Sequence, residues 1–312
     1  MKRSTIGIVA VMFLMFANLT EGQKQVQDSA ARVDVSASQA QSFAVGSLPA
    51  GVVSDGTNIW VTNEGSNTVT KLQASNGNTL GTFEVGGSPF GVTFDGKNVW
   101  VSNGASNTVT KLRAIDGARL GTFRVGVNPS GVTFDGTSIW VANFGSNNVT
   151  KLRASDGARL GTFSVGFRPA GLAFDGVNIW VANSGFLTVT KLRASDGTIL
   201  GTFEVGHNPF AVTFDGANIW VTNQGSATVT KLRAKDGMIL GTFGVGGLPS
   251  GVAFDGMNIW VSNRFNNTVS ELRASDGSTR GTFDVGAQPI GITFDGSDIW
   301  VANSGSNTVS KL

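Results

Sequence analysis

Few groups in this chain could carry out chemistry, and most of them are repeated. His207 is the lone histidine and therefore the single imidazole available as a general base near neutral pH. Nothing in its Gly-His-Asn-Pro loop orients it, and Glu204 belongs to the neighbouring strand, so the residues do not favour catalysis by His207. Cysteine is absent, which removes thiolate nucleophiles, thiolate metal sites and disulfides. Twelve of the 21 acids occupy Asp-Gly dipeptides: Asp55, Asp95, Asp135, Asp175, Asp215, Asp255 and Asp295, with Asp116, Asp156, Asp196, Asp236 and Asp276. Asp at such turns accepts backbone N–H bonds, so these carboxylates read as structural. No metal motif is present, and neither a metal nor a cofactor is expected.

The reason so many groups recur is a forty-residue repeat. Trp60, Trp100, Trp140, Trp180, Trp220, Trp260 and Trp300 stand forty apart, and so do Pro49, Pro89, Pro129, Pro169, Pro209, Pro249 and Pro289. A fixed period of this length without helical patterning points to a propeller or a β-solenoid. Each repeat divides into four short strands. In the second copy these are strand A (residues 91–94), strand B (98–102), strand C (108–114) and strand D (120–125), with Asp95-Gly96 and Asp116-Gly117 as hairpin turns. The apolar triplet Val99-Trp100-Val101 demands cover on both faces, which neighbouring blades in a ring supply. The Asn ending strand B, as at Asn63 or Asn143, is expected to bond its own loop. The Lys and Arg of strand C, as at Lys151 and Arg153, read as surface ion-pairing groups with stems laid over the blade.

Strand arithmetic decides how the ring shuts. The repeats supply seven A, B and C strands but six D strands, and Gln41-Ser42-Phe43-Ala44-Val45-Gly46 aligns with Gly281-Thr282-Phe283-Asp284-Val285-Gly286. The chain is therefore expected to be all-β over residues 41–312, a seven-bladed β-propeller with four antiparallel strands per blade, closed by pairing of the N-terminal strand with the last blade. Ahead of it, residues 1–22 read as a signal peptide, with Lys2 and Arg3 before the apolar run Ile6 to Ala17. Residues 23–40 read as a flexible linker. That apolar run is too short to span a bilayer, so no transmembrane segment is expected after cleavage.

A single asymmetric site belongs where the copies differ. The B–C and D–A loops fall at one end of every blade, and blades three to six carry conspicuous departures there. The candidate ligand-binding residues are Phe144, Phe167, Arg168, Phe186, Leu187, His207, Phe210, Gln224, Arg264 and Phe265, accompanied by Val127, Asn128 and Asn208. Aromatic rings with two guanidiniums suit a peptide, a glycan or a flat organic ligand. The competing reading is free variation of loops under no constraint.

The pattern VGxxPxGVxFDGxNIWVxNxxSNTVTKL resembles the YVTN-type β-propeller repeat over residues 41–312, with Ile-Trp where that repeat usually has Tyr. The resemblance implies an exported protein, secreted, periplasmic or at the cell surface, with a binding or scaffolding role. The FDGxNIWV stretches are also similar to those of streptogramin B lyases, a family that places its catalytic His just after the blade Pro, with acidic residues for magnesium. Here the matching positions hold Ala50, Phe90, Ser130, Ala170, Phe210, Ser250 and Ile290, none of which takes a proton. A lactonase-type propeller would need a convergent set of acidic and amide ligands, which the sequence does not display. The expected function is thus a non-catalytic binding propeller, acting through the B–C/D–A face on a protein, peptide or glycan partner. Lyase-like or lactonase-like catalysis and rigid surface display are the alternatives. A formal charge of +2 gives no pull toward nucleic acid, and a monomer is expected.

Overall fold

The computed structural model describes residues 40–312. The expected signal peptide lies outside the described residues, as does all of the expected linker except Ala40. Among the described residues every regular element is a strand, gathered into seven four-stranded sheets. Six sheets take their strands in sequence order as antiparallel meanders. The seventh is completed by the N-terminal strand, Gln41–Ala44, which lies against Thr308–Lys311 with Phe43 opposite Val309. Closure is as the strand count requires. Phe43 also packs against Trp300, ring centroids 5.5 Å apart, as the outer-strand Phe does in every other blade.

The strand bounds differ slightly from expectation. In the second blade strand A is Pro89–Phe94, strand B Asn98–Asn103, strand C Thr108–Arg113 and strand D Arg119–Arg124. Strand A starts at the proline because the first position of a strand needs no N–H donor. A one-residue bulge follows at once: Pro89 pairs with Asn103, but Val92 pairs with Val101. The bulge re-aims the residue after proline, a common use of bulges beside functional sites.

Between blades the core is apolar. Trp60 of blade one and Val69 pack with Val99, Val101 and Leu112 of blade two, and the same contact recurs around the ring. Burying both faces of each strand B explains its unbroken apolar run. Six of the indoles are fully buried; Trp260 is only partly so. Each indole N–H donates to the Asp of the A–B turn, as Trp100 does to Asp95 at 2.7 Å. That Asp also accepts from the backbone of Lys97 and Asn98, so it caps the turn and anchors the tryptophan together. Burial pushes the carboxyls of Asp55, Asp95 and Asp175 up, but the indole, Asn side-chain and backbone donors outweigh it and hold them below the ordinary range.

The strand C lysine corrects the surface reading. Lys71, Lys111, Lys151, Lys191 and Lys231 are buried, and each ammonium crosses to the C–D turn of the next blade. Lys191 donates to the carbonyls of Ala234 and Lys235 at 2.7 and 3.1 Å, and its Nζ sits 5.1 Å from the centre of the Trp180 ring. The ammonium is stable there because backbone carbonyls and an aromatic face replace its water. Only the arginine behaves as a surface group, as in the 2.9 Å pair of Arg153 with Asp156. The strand B asparagine reaches beyond its loop as well. Asn143 Nδ2 donates to Asn148 and Thr150 while its Oδ1 accepts from Gly126, tying strands B and C to the D–A loop.

Candidate functional site

Three positions per repeat converge on the propeller axis at the B–C/D–A end: the residue before the proline, the residue after it, and the residue after the strand B asparagine. Backbone bonds hold them together. In blade one Glu64 N–H donates to the Leu48 carbonyl at 2.9 Å, and the Asn307 side chain of the neighbouring blade accepts from Leu48 N–H at 2.9 Å. The residue before each proline is left-handed, from Leu48 (φ 50°) round to Gln288 (φ 53°). A side chain in that region costs about 1–2 kcal/mol relative to right-handed backbone, so Arg168 (φ 53°) and Leu248 (φ 52°) are placed there at some expense to folding.

These positions enclose a cavity of about 280 Å³. Ser88 and Asn128 come from the position before proline; Phe90, Ser130, Phe210, Ser250 and Ile290 from the position after it. Glu64, Gly104, Phe144, Gln224 and Arg264 follow the strand B asparagine, and Pro129 completes the lining. Phe90 and Phe210, from blades on opposite sides of the ring, meet edge to face with centroids 6.1 Å apart. The cavity thus sets Phe90, Phe144, Phe210 and Ile290 beside serine hydroxyls, one carboxylate and one guanidinium. Gln224 Nε2 donates to Ser250 Oγ at 3.3 Å, and Arg264 Nη2 to Gln288 Oε1 at 3.4 Å.

The ten candidate residues separate into groups. Phe144, Phe210, Gln224 and Arg264 line the cavity. Arg168 extends its wall, its guanidinium stacked 5.5 Å from the Phe144 ring centre and 5.2 Å from that of Phe167. Phe167 in turn packs on Phe186 at 5.9 Å, giving an exposed aromatic ridge that Leu187 continues. His207 and Phe265 stand apart from the cavity. The His207 backbone is tied to Ser226 and Gly225, its side chain is exposed, and Phe265 faces solvent at 75% exposure. The candidate residues omitted Phe90, Ser130, Ser250, Ile290 and Glu64. One signal could have found the four that follow a proline: that position varies from Ala to Phe within an otherwise repeated VGxxPxG frame, whereas Glu64 follows the strand B asparagine.

Among the described residues no three His, Asp or Glu side chains gather in metal-holding geometry. The ring of residues after proline offers hydroxyls and apolar groups, suited to packing and hydrogen bonding rather than proton transfer.

No family model matches the chain, and no curated protein matches its sequence. Solved structures do match in fold. A streptogramin B lyase is 18% identical with a TM-score of 0.76, covering 87% of this chain and 96% of its own. A catalytically inactive histidine-to-alanine variant of virginiamycin B lyase from Staphylococcus aureus with quinupristin is also 18% identical, with a TM-score of 0.76 and coverage of 88% and 98%. A chain of hydrazine synthase from Kuenenia stuttgartiensis is 18% identical, with a TM-score of 0.72 and coverage of 86% and 94%. At this identity the likeness establishes the propeller fold, which these proteins put to different uses.

Proposed function

We propose that this chain is an exported propeller, related to the YVTN repeat type, that binds a partner through its axial cavity and the adjoining aromatic ridge without transforming it. The observation that carries this reading is where the repeats differ. Residues forming the blades recur nearly unchanged, whereas the three positions facing the axis hold seven varied sets of side chains. The A–B turns vary as well, with Thr57, Lys97, Val177 and Met257 following an Asp-Gly that the turn and its tryptophan require. What sets the axial positions apart is that their varied side chains meet around one cavity.

The cavity's size and lining favour a single aromatic or branched apolar group, with polar flanks reaching Glu64 and Arg264. A peptide side chain or a small aryl ligand fits this; a bare glycan would meet fewer of its apolar walls. Export rests on the leader-like first residues, and location outside the cytoplasm follows from it.

The test is a peptide and glycan array probed with residues 41–312, with bound species then incubated with the protein and analysed by mass spectrometry. Phe90→Ala with Phe210→Ala, and separately Arg168→Ala with Arg264→Ala, should each weaken capture about tenfold or more while the melting point changes little. Quinupristin with magnesium forms the enzyme arm. Linearised quinupristin, or any chemically altered bound species, would refute binding without chemistry. Capture unchanged in both double variants would remove the cavity from the reading.

A further inference from the structure

The opposite end of the ring carries a second, independent feature. Around most of the propeller the strand C lysine lies over the tryptophan of its own blade and donates to the C–D turn of the next. Lys71, Lys111, Lys151, Lys191, Lys231 and Lys311 place Nζ between 4.9 and 5.3 Å from their indole centres. Lys151 also lies 4.0 Å from the A–B turn carboxylate of Asp135. Blade six departs from this. Position 271 is glutamate, and Trp260 is the indole left partly exposed.

Topology supplies the reason. The lysine's acceptors are carbonyls of the next blade's C–D turn, such as Ala114 and Ile115 for Lys71. In blade seven strand D is the N-terminal strand, Gln41–Ala44, and among the described residues no C–D turn joins it to strand C. Among the described residues a lysine at position 271 would lack the turn carbonyls that its counterparts use. The tryptophan face and the turn carboxylate of Asp255 nevertheless remain, with Asp255 accepting the Trp260 indole N–H at 2.7 Å.

We propose that the Trp260–Asp255–Glu271 niche binds an alkylammonium group supplied from outside the repeat, which takes the place that lysine holds in the other blades. An indole face flanked by carboxylates is a recognised environment for ammonium ions. The neighbouring interfaces of this same chain hold a covalently attached ammonium over the indole, there with turn carbonyls as acceptors and, at Lys151, the Asp135 carboxylate 4.0 Å away; in blade six Glu271 stands in for the carbonyls. Arg280 partly balances Glu271, Nε to Oε1 3.5 Å, but it stands on the exposed outer strand and leaves the two carboxylates one positive charge short. Burial, opposed by Arg280 and aided by Asp255, holds the Glu271 carboxyl above its ordinary value, as expected where a carboxylate is short of cations. The group's source is either a lysine of a partner protein or a free alkylamine.

The experiment titrates the propeller with n-butylammonium chloride and with Nα-acetyl-lysine N-methylamide, reading tryptophan fluorescence and melting point against sodium chloride at equal ionic strength. Both ammonium probes should shift the signals saturably. Glu271→Gln should weaken them about tenfold, the effect of removing one charge-assisted partner. Glu271→Lys should abolish the response by supplying the cation from within. Tighter binding of the lysine derivative identifies a protein partner, tighter binding of butylammonium a free amine. A response equal to that of sodium chloride, or one undiminished in Glu271→Lys with a melting point at least that of the parent, would overturn the proposal.

Discussion

The buried lysines make a prediction that pits two physical effects against each other. Replacing Lys191 by Met keeps the apolar stem and removes the ammonium. Its two hydrogen bonds to the Ala234 and Lys235 carbonyls are charge-assisted, each contributing about 1.5–3 kcal/mol, and the contact with Trp180 adds about 1–2 kcal/mol in a desolvated setting. Against this stands the several kcal/mol needed to strip water from an ammonium. Because Lys235 itself is exposed, its freed carbonyl regains water in the variant, which reduces the loss. The net expectation is destabilisation by about 2–3 kcal/mol, or roughly 4–6 °C in melting point for a domain of this size. Urea unfolding followed by tryptophan fluorescence measures it. The comparison with Glu271→Met is decisive, since that substitution removes a half-buried carboxylate lacking the lysine's partners and should be neutral or stabilising. If Lys191→Met stabilises the ring, or if both substitutions act with the same sign and size, the lysines are not what ties neighbouring blades together.

Two further outcomes follow from the turns. Gly117→Ala should cost about 2–4 kcal/mol, because Gly117 has φ +75° and an added methyl would strike the ring of Phe83, itself packed on Trp60. Gly96→Ala, at φ +92° with open space around it, should cost only about 1 kcal/mol; equal losses in thermal melts would contradict the steric account. Acid titration should separate two kinds of carboxylate. Asp55, Asp95 and Asp175 are held below their ordinary value of 3.8, so their contribution is complete above that pH and is lost as pH falls through their lowered folded values. Glu271 is raised above 4.5, so the parent should gain stability on Glu271→Gln as pH falls from neutrality toward 4.5. A constant difference between parent and Glu271→Gln from pH 7 to 4 would show that Glu271 is not perturbed.

Repetition made most of the fold legible in the linear chain. Tryptophan and proline at a strict interval, Asp-Gly at hairpin positions and one surplus D-type strand before the first repeat dictated blade number, strand order and closure, because each is a local demand made seven times. The same regularity made the variable loops of one face stand out. What the linear chain did not disclose was which of those residues point inward. The bulge after proline turns Phe90, Phe210 and Ile290 toward the axis, and a bulge shows itself only in cross-strand register. Likewise the lysine of strand C reads as an exposed cation until the next blade places carbonyls over it. The lysine-to-glutamate change at position 271 has no local meaning either. Its setting appears only in the closed ring, where, among the described residues, blade seven lacks the C–D turn that the other blades offer their neighbour.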